Sequence, residues 1–248
     1  MLNVVNVEKS YRTGGMFTRN KQQVLHGVSF ECDNGESLGI IGESGSGKST
    51  LGRLVLGIEQ PDRGSVLYEG KPVRHRHVRF GHMSAVFQDY TSSINPFFTV
   101  EEAILEALTM KEPLQSDKRS KIDWLLKQVG LDASYKTKYA HELSGGEAQR
   151  VCIARAVATE PKCIVLDEAI SSLDVSVQIQ VLRLLKELKE IYHMSYIFIT
   201  HDIQAAAYLC DRILIFKSGK VVETVRVEQL KEVESDYAKK LMKHLITF

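Results

Sequence analysis

Cysteine is scarce and scattered. Cys32, Cys152, Cys163 and Cys210 are the four in 248 residues, and no two of them form a C-x-x-C pair. That excludes a disulfide-stapled scaffold and predicts reduced thiols of a cytosolic chain, packed in the core. No apolar run reaches the ~18 to 20 residues that a membrane helix needs. The opening Met-Leu-Asn-Val-Val-Asn-Val has no basic stretch ahead of a cleavable apolar one. The expectation is a chain that neither spans a bilayer nor is exported. An excess of charge is also missing: 32 basic residues against 31 acidic ones leave a net charge of +1, which gives no general attraction to nucleic acid or anionic lipid. No repeat is visible, which argues against solenoids and arrays. What remains is an ordinary globular composition, 44% hydrophobic and 25% charged, in a chain long enough to close a core without disulfides or a structural metal.

Basic residues crowd Lys71-Pro-Val-Arg-His-Arg-His-Val-Arg79, with His75, His77 and His82 close together. His-x-His on a strand would point both imidazoles to one face, yet no carboxylate or thiolate lies nearby, so a solvated basic loop is the favoured reading.

Leu2-Asn-Val-Val-Asn-Val-Glu8, Val24 to Cys32 and a turn at Asn34-Gly35 suggest antiparallel strands at the N-terminus. The later runs Leu38-Gly-Ile-Ile41, Cys163-Ile-Val-Leu166 and Tyr196-Ile-Phe-Ile199 are short, continuous and rich in β-branched residues, as in parallel strands covered on both faces. Each ends at a polar residue before a helix-like segment. Ligands gather at the carboxyl ends of such strands, so Gly42 onward, Asp167 and His201 should converge. Helical spacing from Glu101 to Leu108 and from Ile122 to Val129 marks residues 88–159 as a helical subdomain inserted in a core of 1–87 and 160–248. Arg212 to Lys217, Ser218-Gly219 and Lys220 to Thr224 read as a hairpin with a two-residue turn. Val227 to Leu245 is a mixed-charge amphipathic tail, expected to pack as helix.

Gly42-Glu43-Ser44-Gly45-Ser46-Gly47-Lys48-Ser49-Thr50 matches G-x-x-x-x-G-K-[ST], after an apolar strand and before a helix. Glycines let backbone N–H groups wrap a phosphate, and the helix start adds partial positive charge. Lys48 suits β- and γ-phosphates and Ser49 suits Mg²⁺. Cys163-Ile-Val-Leu-Asp167-Glu168 ends an apolar strand in two carboxylates, the first suited to supporting Mg²⁺ and the second to orienting and deprotonating an attacking water. Thr200-His201-Asp202 follows another such strand. Leu143-Ser144-Gly145-Gly146-Glu147 opens a further helix and makes a second anion-binding helix start in the same chain. One γ-phosphate has little use for two cradles from one molecule. A head-to-tail pair uses both, with residues 144–146 of one chain covering the nucleotide held by 42–50 of the other.

These motifs together identify the chain as similar to the nucleotide-binding subunits of ATP-binding cassette (ABC) transporters, over nearly its whole length. The resemblance implies an α/β P-loop NTPase fold with a mixed parallel sheet core, an N-terminal antiparallel β subdomain and the helical subdomain. It implies that Tyr11 stacks on adenine, that 42–50 are the Walker A loop, and that Gln88 is the Q-loop residue sensing Mg²⁺ and the membrane subunit. By the same likeness Ser144 to Glu147 are the signature, Asp167 and Glu168 close Walker B, Asp174 lies in the D-loop and His201 is the switch histidine. Glu147 stands where the signature usually has glutamine, and Ile170 and Ser172 depart from the usual wording after Walker B.

Asp89-Tyr-Thr-Ser-Ser-Ile-Asn-Pro-Phe-Phe-Thr-Val100 resembles the Q-loop continuation of the peptide and nickel importer branch through Ser93, Asn95, Pro96, Thr99 and Val100. Thr99 and Glu102 also have capping-box spacing. The runs 149–155 and 167–174 are nearer the nickel-import type than the peptide type. The resemblance therefore implies ATP hydrolysis with Mg²⁺, driving uptake of nickel or a related metal complex, with oligopeptide uptake as the alternative. The implied partners are a sister ATPase or a second copy, two membrane-spanning permease subunits and an external solute-binding protein, at the cytoplasmic face of the membrane. A soluble ABC ATPase of repair or translation, a non-hydrolysing regulatory module and an exporter are the rival classes.

Overall fold

The computed structural model describes residues 1–13, 21–89, 93–111 and 118–243. Its strands follow in order as β1 (Leu2–Arg12), β2 (Lys21–Cys32), β3 (Ser37–Ile41), β4 (Arg63–Tyr68), β5 (Lys71–Pro72), β6 (Met83–Phe87), β7 (Cys163–Asp167), β8 (Ser195–Thr200), β9 (Arg212–Lys217) and β10 (Lys220–Arg226). Two compact units divide them: Met1–Phe80 with Ser195–Phe248, and Gly81–Met194.

In the first unit, an antiparallel sheet runs β2-β1-β4-β5. Strand β1 begins with the expected alternation, Leu2 and Val4 facing inward, and then breaks it. Asn6 adopts φ 47°, the pairing slips between Val4 and Val7, and Val7 returns to the buried face. Asparagine tolerates this left-handed conformation, and the bulge explains why the buried positions are 2, 4 and 7.

The other sheet of this unit places β3 between β8 and β9, all parallel, with Ile41 opposite both Thr200 and Ile215. All five residues of β3 and all six of β8 are buried, which is why both read as unbroken apolar runs. Each fully buried Leu, Ile or Phe here contributes about 1.5–3 kcal/mol. Strand β10 pairs antiparallel with β9 through Ser218 (φ 46°) and Gly219 (φ 75°), a two-residue turn with both φ angles positive. The tail is not one helix. It forms a 3-10 turn over Val227–Glu232 and a helix over Asp236–Lys243, because Glu223 accepts the Glu234 and Ser235 N–H groups (2.8 and 3.0 Å) and holds a corner between them. Leu245 lies outside the described residues.

Lys71–Arg79 is an exposed basic corner with a one-turn helix, Arg76–Arg79, where a plain loop was expected. Arg79 donates to the Val73 carbonyl at 2.8 Å, and the His75 and His77 rings stack with centroids 5.6 Å apart.

The second unit contains the parallel pair β6-β7, in register from Met83 opposite Cys163 to Phe87 opposite Asp167. Helices over Val100–Lys111, Lys118–Gln128, Gly145–Val157 and Val175–Tyr192 accompany it, with Ile104, Ile122, Leu125 and Val151 fully buried. Thr99 and Glu102 form the expected capping box: Thr99 Oγ1 accepts the Glu102 N–H (3.3 Å) and Glu102 Oε2 accepts the Thr99 N–H (2.8 Å). The four cysteines are buried and unbridged.

Candidate nucleotide site

Residues 42–47 leave β3 and enter the helix Lys48–Val55. A Cβ on Gly42 would lie 2.0 Å from the Phe216 carbonyl oxygen, so nothing larger fits there. Gly47, the N-cap, has φ 104° and offers no side chain to close the helix end. The Ser46 carbonyl accepts the Gly219 N–H at 2.9 Å, so the β9–β10 turn buttresses the loop. Glu43, Ser44 and Gly45 form an exposed crown above it.

Lys48 is only 5% exposed, and its ammonium donates to the carbonyls of Gly42 (2.8 Å) and Glu43 (2.9 Å). An ammonium there, at a helix start with no acid in its first turn, adds positive charge where an incoming anion would sit. The buried Ser46 Oγ has no hydrogen-bond partner among the described residues, so the loop's own contacts do not use all its polar capacity. Thr50 Oγ1 accepts from Arg53 Nη2 at 3.3 Å.

Tyr11, at the end of β1, donates its hydroxyl to Glu59 Oε2 (2.6 Å). Glu59 also accepts from Arg53 Nε (2.6 Å). Tyr11 is thereby tied to the helix that follows the loop. Burial works against the Glu59 charge, but the Tyr11 and Arg53 hydrogen bonds outweigh it and hold the carboxyl below its ordinary range. His201 is exposed immediately beyond Thr200, whose strand register puts it beside Ile41 and Gly42 at one sheet edge. Asp202 caps the next helix through the N–H groups of Gln204 (2.8 Å) and Ala205 (3.1 Å).

In the second unit, Gln88 and Glu168 each follow the last residue of a paired parallel strand, since Phe87 faces Asp167. Asp167 is 8% exposed and Glu168 is half-buried. Glu168 adopts φ 51°, a left-handed conformation that a residue with a Cβ takes at a cost of about 1–2 kcal/mol. Ser171 steadies it: both its N–H (3.2 Å) and its hydroxyl (2.8 Å) donate to the Glu168 carbonyl. Hydroxyl, amide and carboxylate oxygens from Ser49, Gln88 and Asp167 are hard donors of the kind Mg²⁺ takes.

Ser144 caps the helix Gly145–Val157, its Oγ accepting the Glu147 N–H at 3.4 Å, and Glu147 Oε2 accepts the Ser144 N–H at 2.7 Å. Tyr135 donates its hydroxyl to the other oxygen of Glu147. These bonds, the Tyr135 one foremost, pull the Glu147 carboxyl down to about 2. A Cβ on Gly146 would meet Val177 Cγ1 at 2.6 Å, so this helix start abuts that of Val175–Tyr192, whose N-cap is the exposed Asp174.

Tyr135, Arg53 and Glu59 carry no motif, and nothing in their spacing could have marked them. Of the run 89–100, residues 90–92 lie outside the described residues.

Residues 25–171 match the family described as ABC transporter. The chain is 49% identical, over the full length of both, to the metal-staphylopine import system ATP-binding protein CntF of Staphylococcus aureus. It is 38% identical to the nickel import ATP-binding protein NikE of Escherichia coli, covering 95% of this chain and 91% of that one. Among solved structures, the ATP-binding cassette MJ0796, dimeric in a post-hydrolysis state with ADP and Pi, overlays with a TM-score of 0.82 at 28% identity, covering 92% of this chain and 99% of that one. CbiO1 of Clostridium perfringens, part of the ABC transporter complex cbiONQ, gives 0.80 at 27% identity, with 99% and 95% covered. A glycine loop closed on a buried lysine, inside a cassette fold shared over almost the entire length, agrees with the sequence match: the chain belongs to the ABC transporter family, as an ATP-binding, ATP-hydrolysing subunit.

Proposed function

We propose that the chain powers uptake of a transition-metal complex, nickel or a related ion with its chelator, from the cytoplasmic face of a membrane. The observation that carries this is the 49% identity over the full length of both chains to the ATP-binding subunit of a metal-chelate import system, joined by the match to a nickel import subunit. Two permease subunits, an external binding protein and a second cassette, sister or copy, complete the assembly. The dimeric relative with ADP and Pi supports the pairing.

In this reading 42–50 hold the triphosphate, Tyr11 flanks the adenine, and residues 88–159 form the helical subdomain that meets the permease through Gln88 and its continuation. Ser49, Gln88 and Asp167 would hold Mg²⁺, directly or through water, and the ion would neutralise charge on the β- and γ-oxygens. Glu168 orients and deprotonates the attacking water, and His201 contacts the γ-phosphate. Ser144, Gly145, Gly146 and Glu147 of the second cassette, with Asp174, close over the nucleotide. The γ-phosphate then bridges Lys48 of one subunit and Ser144 of the other, and its release lets the pair open.

Glu168→Gln tests the engine: ATP still binds, while turnover in the reconstituted complex falls by on the order of 10² or more. Unchanged hydrolysis would remove Glu168 from its role. Deleting the gene and following ⁶³Ni and chelated-metal uptake tests the cargo, and loss of peptide uptake alone would overturn the metal reading.

A further inference from the structure

The C-terminal helix Asp236–Lys243 reaches the start of the phosphate loop. The Tyr237 hydroxyl accepts the Glu43 N–H at 3.3 Å. That N–H and the Gly42 carbonyl belong to one planar trans peptide unit and point in opposite directions. The same carbonyl accepts the Lys48 ammonium at 2.8 Å. One peptide plane is thus held on one edge by the lysine and on the other by the tyrosine. It cannot retreat toward β9, because Gly42 already packs on the Phe216 carbonyl with no room for a Cβ.

We propose that Tyr237 is a positioning residue for Lys48, and that through it the C-terminal helix sets the affinity of the loop for ATP. The tyrosine is itself firmly seated. It is 8% exposed, Ala238 and Met242 are buried beside it on the helix, and the Lys217 ammonium lies 4.5 Å from its ring centroid. Lys217 directly follows Phe216, so one strand end touches both the loop glycine and the tyrosine. The corner ahead of the helix is pinned to β10 by Glu223, which accepts from Glu234 N (2.8 Å), Ser235 N (3.0 Å) and Ser235 Oγ (2.7 Å). Ser235 Oγ in turn accepts the Ala238 N–H at 3.2 Å and caps the helix. A continuous hydrogen-bonded path therefore runs from strand β10 through Glu223, Ser235 and the helix to the peptide that receives the lysine.

The inference rests on reading 42–50 as the ATP loop, and the experiment separates the two. Tyr237→Phe keeps the ring and its packing and removes only the oxygen. In the full-length chain, titration with a fluorescent ATP analogue should show a three- to tenfold weaker Kd, about what one hydrogen bond supplies. In the reconstituted complex KM for ATP should rise by the same factor with kcat unchanged, and Tm should stay at the wild-type value. Glu223→Gln, which weakens the corner's three acceptor bonds, should move Kd the same way by a smaller factor. Wild-type affinity in Tyr237→Phe, or a fall in kcat or Tm without a rise in KM, would overturn the proposal. Lys48→Ala is the control: weak binding there with normal binding in Tyr237→Phe overturns the tyrosine's role alone. Normal ATP binding in Lys48→Ala overturns the loop reading and this inference with it.

Discussion

Two helix starts in this chain carry the glycine-rich wording of anion sites, and they are built in opposite ways. Lys48–Val55 begins at a glycine that cannot cap it, has no acidic residue in its first turn, and keeps a buried lysine at its mouth. Gly145–Val157 begins at a serine that does cap it and carries an ionised glutamate in a reciprocal box fastened by Tyr135. The first start has no side-chain cap of its own. The second is already satisfied by its own side chains, which gives it a fixed shape and a negative charge beside the serine. The difference teaches that a shared glycine pattern does not imply shared electrostatics: one start has a buried lysine and no side-chain cap, while the other has a serine cap and a carboxylate.

The contrast breaks most severely at Lys48. Lys48→Ala should weaken ATP binding roughly 10- to 100-fold by isothermal titration, because a charge-assisted contact is lost. Ser144→Ala should leave ATP binding by the isolated chain untouched and cost about 1 kcal/mol at the helix start, read as faster amide exchange over 145–149. Glu147→Gln removes the charge and makes the second start resemble the first. The ATP-closed pair should form about two- to fivefold more readily by size-exclusion or light scattering in a Glu168→Gln background. The smallest effect belongs to Tyr135→Phe, where NMR titration should show the Glu147 carboxyl rising from about 2 toward its ordinary 4.5. The sign follows from the lowered value: the clasp stabilises fully above about 4.5 and loses its contribution as pH falls toward 2. Glu147 is half-buried and still screened by solvent, so that contribution is a small one.

Much of this architecture was legible in advance because burial on both faces leaves an unmistakable record. Strands β3, β7 and β8 are buried at every position, so each reads as a short apolar run ending at Gly42, Glu168 or His201. The Ser218-Gly219 turn was equally plain, since few pairs adopt two positive φ angles cheaply. What escaped depends on residues remote in sequence. The Asn6 bulge is packed against Gly64, whose own Cβ would meet the Asn6 carbonyl at 2.2 Å. The partner of Glu147 lies twelve positions upstream in a 3-10 turn, and that of Glu43 lies 194 positions downstream. The left-handed turn at Glu168 leaves no trace, because glutamate is not a residue that advertises positive φ. The corner at 233–235 was missed because amphipathic spacing continues through it, and only the carboxylate of Glu223 shows where the helix must restart.

The seclusion of the four sulfur atoms has its own consequence. Cys152 and Cys163 are pushed up to about 12 by burial, so at cellular pH they remain protonated thiols, and Cys32 and Cys210 are likewise enclosed. Cys152 and Cys163 are thus withheld as thiolate ligands from any soft metal ion that reaches the chain.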